Sequence, residues 1–295
     1  SDSILSQLGH TLERFLTEHP EDFNKMLASA TGTADGLEEA VSAQEGVFHY
    51  TQCGDLLLRS QIDCMDPRLP RRTFDLKTRA VMPIRMDLMN YQKHLGYRLD
   101  RQHGMFGSFE RELYDMSRSA FLKYNLQARI GNMDGIVVAY HNTVELFGFQ
   151  YLPREWIDEC VFGSAEAGDL AFHLLLQSYS HVLKVALADV PKEDTVRLTF
   201  TLAKDYQRLS MFVERFQDYP TDRKYILPSA NLFQQYDLQF VTKANGVRLD
   251  SFPGAVATDC MHSTQFDCQL AITQVKDPQR ADFGAARAKA GGEMH

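Results

Sequence analysis

The 295 residues contain no CxxC pair, no HExxH or related histidine spacing, and no GxSxG, P-loop or GxGxxG signature. Each absence removes a class of chemistry. The missing CxxC argues against a structural zinc site, and five scattered cysteines, Cys53, Cys64, Cys160, Cys260 and Cys268, do not make a disulfide framework. Free thiols in a reducing compartment are expected. The other missing signatures take away the familiar marks of zinc peptidases, serine hydrolases, phosphate-loop enzymes and dinucleotide binders. No apolar run is long enough to span a membrane. The best, LAFHLLLQSYSHVLKVALADV, is interrupted by His173, Gln177, His181 and Lys184 and suits a buried amphipathic helix.

Net positive charge is also lacking: the formal value is −8, which counts against phosphate binding at first sight. The distribution says otherwise. From Arg59 to Arg129 there are 14 Lys or Arg against 8 Asp or Glu, so a basic middle lies between acidic flanks. That stretch is either an electrostatic footprint for nucleic acid or a solvated basic surface. With 44% hydrophobic residues the chain can bury a sizeable core. It opens on Ser1 without an initiator Met and reads as a piece of a longer protein, so a missing targeting signal says nothing about location.

Hydrophobic spacing predicts an amphipathic helix over residues 3–17, a short helix after Pro20, and a turn-rich TGTADG stretch. EEAVSAQ reads as a short helix and VFHYTQ as a strand. A turn at Cys53-Gly54-Asp55 leads to a strand from Leu56 to Cys64. Thr73–Met82 is the next strand, and a helix capped by Ser108 runs to Ile130, ended by Gly131. MDGIVVAYHNTVELFGFQYLP predicts a hairpin turning near His141-Asn142. REWIDECV and Asp169–Ala188 read as helices, and VRLTFTL, QYDLQFVTKANGVRLD and TQFDCQLAITQV as strands. An Ala/Gly-rich tail follows Pro278. The expected division is a core over 1–216 and a C-terminal extension over 217–295.

Period-two geometry puts Leu57, Arg59, Gln61 and Asp63 on one strand face, and Asp75, Lys77 and Arg79 on one face of the next. This juxtaposition suggests phosphodiester hydrolysis. Asp63 and Asp75, on neighbouring strands, supply hard oxygen ligands for Mg²⁺ or Mn²⁺, while Lys77 lies beside them to orient or deprotonate water. Glu13 on the first helix is a candidate further ligand. Gln127 continues the apolar stripe Leu113, Met116, Ala120, Tyr124, so Gln127 and Tyr124 are candidates to reach the site. The competing reading makes Asp75 and Lys77 a surface ion pair. Asp66 is either a ligand or, before Pro67, a turn residue, and Asp134-Gly135 reads as a turn. Arg59, Arg68, Arg71, Arg72 and Arg79 are candidate phosphate contacts. His103, His141, His173 and His181 read as ordinary surface, turn or helix residues.

The runs LLLRSQIDCMDPRLPRRTFDLKTRAV and SFERELYDMSRSAFLKYNLQARIGNMDGIVVAYHNTVELFGFQYLP closely resemble the fungal mitochondrial RNA-processing family Pet one-two-seven. The resemblance extends from LGHTLERFLT to about residue 200. It implies the PD-(D/E)XK nuclease superfamily, an α/β restriction-endonuclease-like core with a mixed central sheet flanked by helices. The superfamily's PD acid falls on Asp63, with Ile62 replacing the proline, and its (D/E)XK falls on Asp75 and Lys77. The resemblance further implies a mitochondrial matrix protein that trims RNA from the 5′ end and associates with the mitochondrial RNA polymerase. The leading expectation is therefore a metal-dependent 5′-to-3′ exoribonuclease with Asp63, Asp75, Lys77 and Gln127 as catalytic residues. Metal would lie on Glu13, Asp63 and Asp75, and nucleic acid on Arg59, Arg79 and Tyr124. A non-catalytic RNA-binding or polymerase-associated factor and a DNA nuclease stand as alternatives.

Overall fold

In the computed structural model, residues 4–29, 47–202, 208–216, 233–248 and 265–276 are described. The TGTADG stretch, the expected EEAVSAQ helix, and the tail after Pro278 lie outside them. The described chain belongs to two compact units, Ser1–Phe172 and His173–His295.

The first unit begins with helices α1 (Ile4–Thr17) and α2 (Pro20–Ser29). Proline and two acids at the start of α2 suit the exposed amides and positive end of a helix N-terminus. Strands β1 (Val47–Cys53) and β2 (Leu56–Ile62) pair antiparallel about Gly54, whose φ of 56° suits the tight turn of a twisted hairpin. The expected strand to Cys64 is interrupted at Asp63. Its end becomes a two-residue strand, β3 (Cys64–Met65), which changes partner and pairs with β4 (Thr73–Ala80). Past β4, Pro83 lies within the first turn of the short helix α3 (Met82–Met86), followed by a 3-10 stretch over Leu88–His94.

The helix expected over 108–130 is two helices, α4 (Phe109–Ser119) and α5 (Phe121–Ile130), separated at Ala120. The Ser117 and Ser119 hydroxyls donate back to the carbonyls of Tyr114 and Asp115 at 2.8 and 2.7 Å, a bonding pattern that bends helices. Ser108 does cap α4, accepting from the Arg111 amide at 3.1 Å. Strands β5 (Gly135–His141) and β6 (Leu146–Pro153) form the expected hairpin, and α6 (Arg154–Phe162) follows. The sheet order is β3-β4-β5-β6. β4 and β5 are parallel, with α4 and α5 in the crossover, and the outer pairs are antiparallel. This is a mixed sheet flanked by helices, the α/β class anticipated.

Its core is continuous through Val81, Ile84, Met116, Phe121, Ile136, Val138, Tyr140, Leu152 and Ile157. β5 is almost wholly buried, as its unbroken apolar run requires. Helix α7 (Ala165–Leu187) gives its first turns to this unit and the rest to the second.

In the second unit β7 (Thr195–Leu202), β8 (Leu209–Phe216), β9 (Phe233–Ala244) and β10 (Val247–Arg248) pair antiparallel, and β11 (Phe266–Gln274) lies on β9. Val182 and Ala186 of α7 pack with Met211, Val213, Tyr236 and Leu238. The observed division, at 172/173, thus differs from the expected 216/217. Because β8 pairs with both β7 and β9, one antiparallel sheet crosses the boundary that the fading pattern after Phe216 suggested. β8 itself was not read from the sequence.

A buried polar cluster ties α5 to α6 and α7. Arg129 donates to Asn125 Oδ1 at 3.0 Å, Asp158 Oδ1 at 2.6 Å and Asp169 Oδ1 at 2.5 Å. Asn125 also donates to Asp158 at 2.7 Å, and a Cβ on Gly168 would overlap Asp158 and Arg129. With Arg129 and Asp158 both buried, loss of Asp158 leaves the guanidinium only the exposed Asp169 as a charged partner. Asp158→Ala is expected to lower unfolding free energy by about 3–5 kcal/mol in a urea titration; a change under about 1 kcal/mol would show that water enters and screens Arg129.

Candidate active site

The break between β2 and β3 creates the site. β3 pairs with β4 through Cys64↔Phe74 and Met65↔Thr73, and continuing that antiparallel register by one position sets Asp63 opposite Asp75. Asp75 is fully buried. Its Oδ1 accepts from Gln127 Nε2 at 2.9 Å, so α5 reaches β4 through the polar residue expected on its inward stripe. Two positions along β4, Lys77 Nζ lies 2.7 Å from Asp75 Oδ2. The ammonium is thus the electropositive partner of this buried oxygen.

Helix α1 completes the cluster. Gly9 lets the helix approach β4 closely: a Cβ there would sit 3.1 Å from Thr78 Oγ1. One turn later, Glu13 interacts with Lys77, Asp63 and the Thr78 backbone, and its carboxylate is 3.6 Å from His10 Nδ1. Glu13, Asp63, Asp75, Lys77 and Gln127 are therefore one constellation drawn from α1, the β2–β3 break, β4 and α5.

Burial pushes the Asp75 carboxyl up to about 7; Lys77 opposes the rise, while Asp63 adds to it. Burial likewise raises Glu13, with Lys77 pulling down and Asp63 pushing up. For Lys77 burial favours the neutral amine, but the charges of Asp75, Asp63 and Glu13 prevail and hold the ammonium above the ordinary lysine range. The Cys64 thiol is pushed up to about 12 by burial and by Asp63, Asp75 and Glu13, so it stays protonated at neutral pH. Among the described residues, no three or more His, Cys, Asp or Glu are already gathered as a metal cage. Two hard carboxylates on neighbouring strands nevertheless suit Mg²⁺ or Mn²⁺, since Mg²⁺ needs only one or two carboxylates when water and phosphate complete its shell.

The remaining predicted residues divide. Arg59 is exposed on β2 with its guanidinium 4.5 Å from the centre of the Phe48 ring. Arg79 is not offered to a phosphate: it is buried, and its Nε lies 3.2 Å from Glu112 Oε2. Glu112 also takes Arg85 and the Met82 amide, each at 2.6 Å. Tyr124 packs half-buried against the core. The assignment of Arg79 to nucleic acid yields to its ion pair with Glu112.

Asp66 is a turn residue, accepting from the Arg68 amide and guanidinium, which hold its carboxyl down at about 2. Asp134 is buried and accepts from the Arg71 amide at 2.7 Å, and Arg71 also pairs with Glu155. Glu112 was overlooked; its place one turn before Met116 on the inward stripe was the available signal. Gly9 in LGHTLERF was the corresponding signal for the close approach of α1.

The mixed sheet thus brings an Asp-x-Lys strand beside a second aspartate, with a helix-borne glutamine on the buried carboxylate. Residues 1–184 match the family described as Mitochondrial protein Pet127. The chain belongs to that family, and it is a mitochondrial protein. It is 43% identical over 192 residues to the "mRNA degradation protein pet127, mitochondrial" of Schizosaccharomyces pombe, covering 64% of this chain and 35% of that protein. It is 42% identical over 185 residues to the "Putative mitochondrial translation system component PET127" of Saccharomyces cerevisiae, covering 61% and 20%. The chain thus spans about a third and a fifth of the lengths of these relatives. Among solved structures, Scheffersomyces stipitis Rai1 in complex with (3′-NADP)+ and calcium ion is similar at 11% identity and a TM-score of 0.31, over 70% of this chain and 53% of that one. A likeness so remote bears on neither fold nor chemistry here.

The raised Asp75 carboxyl has a definite consequence for stability. Between its unfolded value near ~4 and about 7 the folded chain binds the extra proton. The stability associated with that proton is therefore present at low pH and is lost as pH rises through 7. In EDTA, the stability difference between the parent and Asp75→Asn should shift in favour of the variant from pH 5 to pH 8. Urea midpoints measure it, and an unchanged difference would contradict the raised value.

Proposed function

We propose that this chain is a metal-dependent ribonuclease of mitochondrial RNA decay, acting as an exonuclease in the 5′-to-3′ direction. The observation that carries the reading is the buried Asp75 carboxylate, set opposite Asp63 and paired with Lys77. The printed name of the S. pombe relative, an mRNA degradation protein, supports RNA as substrate. The exonuclease mode, its direction and an association with the mitochondrial RNA polymerase rest on the family resemblance alone.

Asp63 and Asp75 would hold Mg²⁺ or Mn²⁺, with Glu13 as a further oxygen donor. When bound, such an ion polarises phosphate and lowers the pKa of water. Gln127 fixes the Asp75 carboxylate by donating to Oδ1, leaving Oδ2 for the site. Lys77 stays charged beside Asp75, where its ammonium can orient the attacking water and oppose negative charge building on phosphate. The buried surroundings strengthen both effects.

A second reading, RNA binding without catalysis, draws on Lys77 already neutralising Asp75 at 2.7 Å. The two separate in a time course with purified protein, Mg²⁺ and single-stranded RNA bearing a 5′ monophosphate and one end label, with matched DNA alongside. Metal-dependent loss of RNA from the 5′ end is expected. Asp63→Asn, Asp75→Asn and Lys77→Ala should each lower the rate about a hundredfold or more while leaving the circular dichroism spectrum intact. Full activity in Asp75→Asn would defeat the site assignment, and intact RNA throughout would favour the binding reading.

A further inference from the structure

The β1–β2 hairpin carries an apolar surface on the side away from the protein. In its register Phe48 faces Gln61 and Tyr50 faces Arg59. Strand alternation therefore gathers Phe48, Tyr50, Leu57, Arg59 and Gln61 on one face. These residues are exposed, Tyr50 by 56% and Leu57 by 70%. The opposite face holds the more buried Leu56, Leu58, Ser60 and Ile62. Arg59 covers one face of the Phe48 ring at 4.5 Å, while the other face, Tyr50 and Leu57 remain in water with no folding benefit, so the surface calls for an occupant.

Charge and continuity indicate which one. Arg59 and Gln61 line an open groove of about 560 Å³, whose other wall is α5 with Leu122, Lys123, Leu126 and Gln127. Gln127, which lines the groove, donates to the buried Asp75 carboxylate, so the groove abuts the residue that contacts the carboxylate cluster. A surface with exposed rings, two cations at the groove wall and an apolar floor is complementary to an unpaired strand, which offers stackable base faces and phosphates together. A duplex keeps its base faces hidden.

Resting on the ribonuclease reading for the identity of the strand, we propose that the outer face of the β1–β2 hairpin is a stacking platform for single-stranded RNA. Bases stack on Phe48 and Tyr50, Arg59 and Lys123 meet the backbone, and the groove leads the strand along α5 to Gln127. The platform adds affinity without selecting sequence, because every base presents a π face.

The test is fluorescence anisotropy of fluorescein-labelled single-stranded RNA, in EDTA and on an Asp75→Asn background, so that binding is read without turnover. Phe48→Leu with Tyr50→Leu keeps the apolar surface but removes the rings. Affinity should fall about 25-fold or more, about fivefold per ring, with an unchanged melting temperature. Single-stranded DNA of the same sequence should lose a similar factor, RNA duplex much less, and Met89→Ala, an exposed site elsewhere, nothing. An unaltered affinity in the Leu pair, or an equal loss for duplex, overturns the platform. So does dimerisation of the parent that those two substitutions abolish, which would make the face a contact between copies. Cleavage assays on the otherwise wild-type chain keep the two readings apart: binding lost with the rings but no metal-dependent decay would remove the nuclease and leave the platform.

Discussion

A carboxylate with no exposed surface has left water, and the structure around it must replace what water supplied. For Asp75 that replacement comes from Gln127 at one oxygen and Lys77 at the other, with Asp63 and Glu13 adding charge of the same sign. The need to satisfy this group joins four parts of the chain. It requires a polar side chain on the inward face of α5, a lysine two positions along β4, and an interruption of the β2 ladder that lets Cys64–Met65 pair with β4. It also makes Gly9 necessary, since α1 must lie close for Glu13 to take part. Such a cluster is costly to assemble without a cation, and the lysine ammonium provides one within the protein.

The basic middle of the chain has a different meaning once its partners are known. Arg68 is held by Asp66, Arg71 by Asp134 and Glu155, Arg79 and Arg85 by Glu112, and Arg129 by Asp158 and Asp169. Much of the local positive excess therefore serves to fasten loops and helices to the sheet. Arg59 and Lys123 are exposed along the groove, beside aromatic and aliphatic surface. An account of strand binding must consequently lean on stacking as well as on phosphate charge, which agrees with a chain whose overall charge is negative.

Short-range patterning was legible before any coordinates. The stripe of α1, the turn at Gly54, the Ser108 cap, the β5–β6 hairpin and the Asp-x-Lys strand were all read from spacing, because each depends on residues within one or two turns of one another. Gln127 was legible as a polar anomaly in an apolar stripe. The failures share a cause as well. The helix break at Ala120 arises from serine hydroxyls competing for backbone carbonyls, and β8 (Leu209–Phe216) was not read at all. The fate of Arg79 turned on Glu112, thirty-three positions away.

The sequence by itself therefore determined the kinds of element, the α/β class and the residue types of a carboxylate–lysine centre, since side-chain periodicity follows directly from backbone geometry. Only the tertiary structure decided which charges would face one another. Asp63 meets Asp75 because a strand changes partner after Ile62, Arg79 is consumed by an ion pair, and Tyr124 packs half-buried against the core. Those outcomes depend on register and close packing between distant segments, and no local pattern encodes the distance between two side chains that the fold brings together.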